Sequence, residues 1–212
     1  MSGKDRAVLS FHESLLRESD VDLLRGPHWL NDQIISFYFE YLERVALPDA
    51  NNLLFVSPEV TQCLKIVSSA EADAFLAPLN AQEKKIIFFA LNDNENNTAG
   101  GSHWSLLVLS RPEDTFYHFD SSGRSNCASS RYFCNHLRVP LACRRAQLVQ
   151  EECLQQTNCY DCGLHLICTA DKIAHHAWRT GLVAGAPQIS PHEVAGKRKE
   201  ILAIIRELGG SI

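Results

Sequence analysis

Two cysteines three residues apart, Cys159 and Cys162, lie in the stretch QQTNCYDCG, Gln155 to Gly163. The C-x-x-C spacing serves dithiol redox centres, zinc knuckles, or a single nucleophile with a bystander beside it. The surroundings favour the single nucleophile. Cys162 is followed by Gly163 and an apolar helical run (Leu164, Leu166, Ile167, Ile173) and preceded by turn-prone polar residues, which puts it at a helix start. Unpaired backbone N–H groups and the helix dipole at such a junction favour an anionic sulfur, the reactive form. Gly163 would turn the backbone tightly and leave one side of the sulfur open. A zinc knuckle needs four ligands, usually two such pairs. No second pair exists, and His175-His176 stand ~20 Å further along a helix at ~1.5 Å per residue. A thioredoxin-like dithiol would follow the first strand of a βαβ unit, whereas this motif follows a late strand. The sequence therefore predicts no metal and no cofactor. Cys159 keeps one special use, trapping an oxidised Cys162 as a disulfide.

A thiol nucleophile needs a base, and a base needs an orienting partner. HWSLLVL and FYHFD read as antiparallel strands joined by a turn around Ser110-Arg111-Pro112-Glu113, so that facing residues have numbers summing to 223. His103 then lies opposite Asp120, with Cβ atoms ~4.5–5.5 Å apart. A one-residue slip would misalign the pair. His118 shares the strand face of Asp120 but would meet Ser105, which is no carboxylate, and Asp161 is too close to Cys162 in sequence to point at it. Acyl transfer also needs donors for the developing oxyanion. The backbone N–H of Cys162 is one; the amide of Gln156 can be the second, with Gln155 as a rival that spacing does not separate.

These groups must be held by a frame. WLNDQIISFYFEYLERV is a helix capped by Asn31 or Asp32, with Ile34, Ile35, Tyr38, Tyr41, Leu42 and Val45 at 3–4 spacing. Ser57-Pro58-Glu59 starts another helix, and a third, rich in Ala, runs near Glu71 to Leu76. KKIIFFALND, HWSLLVLS, TFYHFDSS and AQLVQEE are strands. Helices are expected from Ser125 to Leu137 and from Cys162 to Trp178. A last one opens on the capping box Ser190-Pro191-His192-Glu193 and runs through Leu208. The pattern is an α+β fold with a mostly antiparallel sheet flanked by helices, a single domain over residues 1–212.

Composition narrows the partners. Of the 212 residues 45% are apolar and 21% charged, and a net charge of −5 argues against a nucleic-acid surface. Lys197-Arg198-Lys199, the one compact basic run, is expected to be a solvated helix face. No apolar run approaches the ~20 residues of a membrane span. The expectation is a monomer of the cytoplasm and/or nucleus, whose eight cysteines remain free thiols.

GGSHWSLLVL, FYHFDS and QQTNCYDCG in that order, with WLND far upstream, resemble the ubiquitin-like-protein proteases, the sentrin-specific cysteine proteases. LLRxSDVxLL, SPEVTQ, FLxPL and NDNxNxxAGGxHWSLLV are similar to their short deneddylating branch. The resemblance implies a papain-like core with chain order His, Asp, Cys, and catalytic residues His103, Asp120, Cys162 and Gln156. It implies cleavage after the C-terminal Gly-Gly of the neddylation modifier, for precursor processing and for release from lysine-linked targets. A SUMO-type protease and a non-catalytic modifier-binding module are the alternatives. Trp29 and Trp104 would wall a slot passing only glycine, with Asp32 and the loop Asn92-Asp93-Asn94 flanking the modifier tail.

Overall fold

The computed structural model describes residues 5–96, 98 and 100–212. Strands β1 (Ala7–Phe11) and β2 (Ser14–Arg17) form a small hairpin that leads into the short helix α1 (Glu18–Asp22). Next come α2 (Asp32–Tyr41), extended by a wider turn through Ala46, then β3 (Leu53–Val56), α3 (Pro58–Ile66) and α4 (Ser69–Leu76). The second half holds β4 (Ile86–Asn92), β5 (Trp104–Ser110), β6 (Thr115–Phe119), α5 (Cys127–Leu137), β7 (Gln147–Glu151), α6 (Cys162–Thr180) and α7 (Pro191–Glu207).

The helix starts follow their capping residues. Asn31, rather than Asp32, caps α2 by accepting from Ile34 N at 3.1 Å. Ser57 caps α3 with Pro58 in its first turn, and Ser190 with Glu193 closes a capping box on α7.

β3 to β7 form one sheet in chain order. The sheet is evenly mixed rather than mostly antiparallel: β4–β5 and β5–β6 run antiparallel, β3–β4 and β6–β7 parallel. The helices explain the correction. α3 and α4 carry the chain from β3 to β4, and α5 from β6 to β7, and a helical crossover returns a strand parallel.

Period-two alternation divides the sheet between two cores. Phe55, Phe88, Leu106 and Val108 face α2, α6 and α7, whereas Val56, Phe89, Leu107 and Phe116 face α3, α4 and α5. Burial on both faces is why β4 reads as an unbroken apolar run. The N-terminal hairpin and β3 carried no recognised sequence signal; β3 is four buried residues, LLFV, too short for a period.

The basic run is a second correction. Lys197 is 5% exposed, and its Nζ donates to Tyr38 Oη, Asp171 Oδ2 and Glu200 Oε1 at 3.0, 3.0 and 2.7 Å. Paired carboxylates and a phenol let an ammonium sit inside the helix packing.

Candidate active site

β5 and β6 pair with Leu106 opposite Phe119, a register two residues beyond the one read from turn length. A slip of two keeps every side chain on its face. His103, just before β5, therefore reaches Asp120, just after β6, along the diagonal, and its Nε2 lies 2.7 Å from Asp120 Oδ1. His118 leans the same way. It pairs with Leu107 in the ladder, but its Nε2 meets Ser105 Oγ at 2.9 Å.

Asp120 is held from behind. Besides His103 it accepts from Ser122 N at 2.9 Å and Asn126 N at 2.7 Å. Burial raises its carboxyl pKa, but hydrogen bonds from His103, Asn126 and Ser122 outweigh that and hold it below the usual carboxylate range. Burial also works against a charged His103. Hydrogen bonds to Asp120 and Cys162, with the charges of both, nevertheless lift the imidazole to about 9. Since Nε2 is engaged by Asp120, Nδ1 is the nitrogen left for the sulfur.

His118 is fully buried between Gln150 and Ser105. Burial holds it below its ordinary value, so it is a neutral structural residue at physiological pH.

Cys162 is the first residue of α6, buried to 2% exposure, and lines a cleft of about 620 Å³. The first N–H of this segment to bond back is that of His165, to Asp161 O, so those of Cys162 and its two successors have no intrahelical acceptor. Gly163 also has a packing role that the sequence did not indicate. A Cβ there would stand 3.0 Å from Leu30 Cβ, so glycine is needed for close approach of α6 to the WLND segment.

Trp29 and Trp104 both line the cleft. Trp104 Nε1 donates to Leu30 O at 3.1 Å, and Trp29, 48% exposed, donates from Nε1 to Cys159 O. Asp32 and Asn92 line it as well, and burial followed by the Glu59 charge raises the Asp32 carboxyl. Asp93 does not line it. Its carboxylate turns back to accept from Ser102 N and Oγ and from His103 N, fixing the backbone beside the histidine.

The two glutamines separate. Gln155 Nε2 donates to the Asp120 and Cys153 carbonyls, and its Oε1 accepts from Gly123 N, so its amide is spent on the Asp120 turn. Gln156 is fixed at Oε1 by Ser121 Oγ at 2.8 Å and gives one N–H to Asn158 O at 2.7 Å, which leaves the other for a ligand. Ser121 and Asn158 supply this anchoring and were not singled out from sequence.

The remaining thiols sit differently. All eight are free; Cys63 and Cys159 are exposed. Burial pushes Cys168 up to about 12 and Cys153 up to about 11, and raises Cys127, Cys134 and Cys143 too. Among the described residues no three His, Cys, Asp or Glu side chains converge as a metal site, and no helix is long and apolar enough to cross a membrane.

Residues 28–208 match the Ulp1 protease family, C-terminal catalytic domain. The chain belongs to this family. It is 40% identical over 208 residues to sentrin-specific protease 8 of Rattus norvegicus, a match covering 96% of each chain. With NEDD8-specific protease 1 of Arabidopsis thaliana it shares 32% over 217 residues, 96% of this chain and 94% of the relative. Among solved structures, the SUMO protease Ulp1 with its catalytic cysteine oxidised to a sulfenic acid superposes with a TM-score of 0.74 at 19% identity. That match covers 95% of this chain and 89% of Ulp1. Ulp1 bound to Smt3 superposes with a TM-score of 0.71 at 20% identity, covering 96% and 88%. At such identities these two matches establish the fold. The protein is a cysteine protease of the Ulp1 family.

Proposed function

We propose that the protein, acting as one protease domain, cleaves after the C-terminal Gly-Gly of a NEDD8-type modifier, both in precursors and in lysine-linked conjugates. The observation that carries the chemistry is the His103–Asp120 pair at 2.7 Å, with Cys162 at the start of α6 near enough for its charge to help raise the imidazole. The modifier preference rests on full-length similarity to sentrin-specific protease 8 and to NEDD8-specific protease 1.

The steps follow from the geometry. The modifier tail lies between Trp29 and Trp104, where a side chain near the scissile bond would clash. The Cys162 sulfur attacks the last glycine carbonyl as an anion, and the oxyanion is held by the Cys162 N–H and the free N–H of Gln156. Imidazolium His103 gives its Nδ1 proton to the leaving amine, which departs and leaves a thioester. His103, now neutral, takes a proton from water, and the hydroxide attacks the thioester. The carboxylic acid product leaves and gives its proton to solvent, with Cys162 again anionic and His103 again charged. Asp120 fixes the ring throughout from Nε2.

A SUMO-type protease is the second reading, favoured by the Ulp1 superpositions alone. The test is to incubate the protein with NEDD8, SUMO and ubiquitin carrying C-terminal electrophiles. A NEDD8 adduct lost in Cys162→Ala and kept in Cys159→Ala supports the proposal. A SUMO adduct alone supports the second reading. No adduct with any of them would leave a binding module, and equal loss in both variants would point to dithiol chemistry.

A further inference from the structure

Arg198 stands outside every catalytic motif, on α7, about forty residues after the nucleophile. Its side chain is nevertheless only 14% exposed, and its guanidinium reaches three separate segments. Nη1 donates to Leu23 O at 2.6 Å. Nη2 donates to His28 O at 2.7 Å and to Asp161 Oδ1 at 2.8 Å. Leu23 lines the cleft, His28 precedes Trp29, and Asp161 precedes Cys162.

The contact with Asp161 continues inward. The other carboxylate oxygen of Asp161 accepts from Asn158 Nδ2 at 2.8 Å. Asn158 Oδ1 accepts from Tyr160 N and Asp161 N, and its carbonyl accepts from Gln156 Nε2 at 2.7 Å. On the opposite side, Trp29 closes the circuit by donating to Cys159 O. One planar, permanently charged fork thus ties the Trp29 wall to the loop that carries Gln156 and Cys162. Arginine suits this task because its donors diverge in a fixed plane, and the point charge of a lysine cannot serve three acceptors spread over that span equally well.

We propose that Arg198 is a positioning residue for proteolysis, setting the distance between the Trp29 wall and the nucleophile loop and aiming the Gln156 amide at the oxyanion. This assignment rests on the protease reading above. It acts through Asp161 and Asn158 and touches no reacting atom.

The test compares wild type, Arg198→Ala and Arg198→Lys in three measurements. The first is kcat and KM on NEDD8 carrying a C-terminal fluorogenic amide. The second is the rate of Cys162 alkylation by iodoacetamide, followed by peptide mass spectrometry; this reaction needs the sulfur but no oxyanion donor. The third is the indole N–H resonance of Trp29 in 15N-labelled protein. Arg198→Ala is expected to lower kcat about 10- to 100-fold, the scale of a misaligned oxyanion donor. Alkylation should stay within about threefold, since its chemistry bypasses that donor. The Trp29 resonance should move while that of Trp178 does not, and Arg198→Lys should recover part of the lost kcat. The proposal falls if kcat of Arg198→Ala stays within about twofold of wild type, the range of a neutral surface change. It also falls if kcat and alkylation drop together with the folded fraction. A wild type that fails to turn over any modifier would refute the protease reading instead; the Trp29 resonance then still decides, and an unmoved signal in Arg198→Ala overturns the positioning claim.

Discussion

Replacing Asp120 by asparagine tests the relay where its electrostatics are largest. His103 rises from 6.5 to about 9. That rise is worth about 3 kcal/mol of preference for the imidazolium, drawn from Asp120 and Cys162 together. If Asp120 supplies half or more, its neutralisation removes at least ~1.5 kcal/mol, about tenfold in rate. Orientation adds to this, because three donors (His103 Nε2, Ser122 N and Asn126 N) converge on two carboxylate oxygens. An asparagine offers one oxygen and turns its NH2 toward one of those donors. In serine-protease triads the same exchange costs about 10⁴, so a loss of roughly 10²–10³ in kcat is expected here. One buried donor left unmet costs about 1–3 kcal/mol, a drop of several degrees in Tm for a chain of this size.

The pH profile carries a sign as well. A histidine raised by folding contributes stability that is complete below its unfolded value of 6.5 and lost as pH rises through about 9. In Asp120→Asn the upper edge of that window moves down, and with it the alkaline limb of kcat/KM. The assay is kcat/KM against pH on a fluorogenic NEDD8 amide, with NEDD8 affinity measured by calorimetry in a Cys162→Ala background. Asp120 does not line the cleft, so affinity should hold within about threefold. An unmoved alkaline limb with kcat near wild type would refute the reasoning; affinity lost in parallel with turnover would make Asp120 a scaffold residue.

Gln156→Ala removes the side chain proposed as oxyanion donor and should lower kcat about 10²-fold or more with KM little changed; Gln155→Ala, which loosens the Asp120 turn, should shift the pH limb instead. Steady-state kinetics of both variants distinguish these outcomes. Gly163→Ala drives a Cβ to 3.0 Å from Leu30, which should cost about 1–3 kcal/mol by overpacking. It should also raise KM by displacing the segment between the two tryptophans; thermal denaturation with modifier titration checks both.

The His103–Asp120 contact was legible from sequence because both residues, like Cys162, stand at element boundaries that local chemistry marks: a histidine opening a strand, an aspartate closing one, a cysteine opening a helix. Its ladder register was not, since turn length leaves the pairing uncertain by two residues, and the diagonal contact forgives that error. Mixed strand direction followed from where helices intervene, which the element order contained once each helix was recognised as a crossover. The buried ends of Lys197 and Arg198 were hidden because a basic run in an amphipathic helix looks the same whether its partners are water or the carboxylates, phenol and carbonyls of other elements. Asp93 misled for a related reason: a polar loop beside a cleft can face the ligand or its own backbone, and only the Ser102 and His103 amides decide it.

The depth at which the thiols are set has a pharmacological consequence. Burial suppresses the nucleophilicity of Cys134, Cys143 and Cys168 from within the protein, so an electrophilic inhibitor need not be tuned against them. Its selectivity problem within this chain lies with the exposed Cys63 and Cys159 and the half-buried Cys127 and Cys153, and a narrow, tail-shaped scaffold threading between Trp29 and Trp104 solves it by reach, because among the described residues Cys162 is the cysteine that lines that cleft.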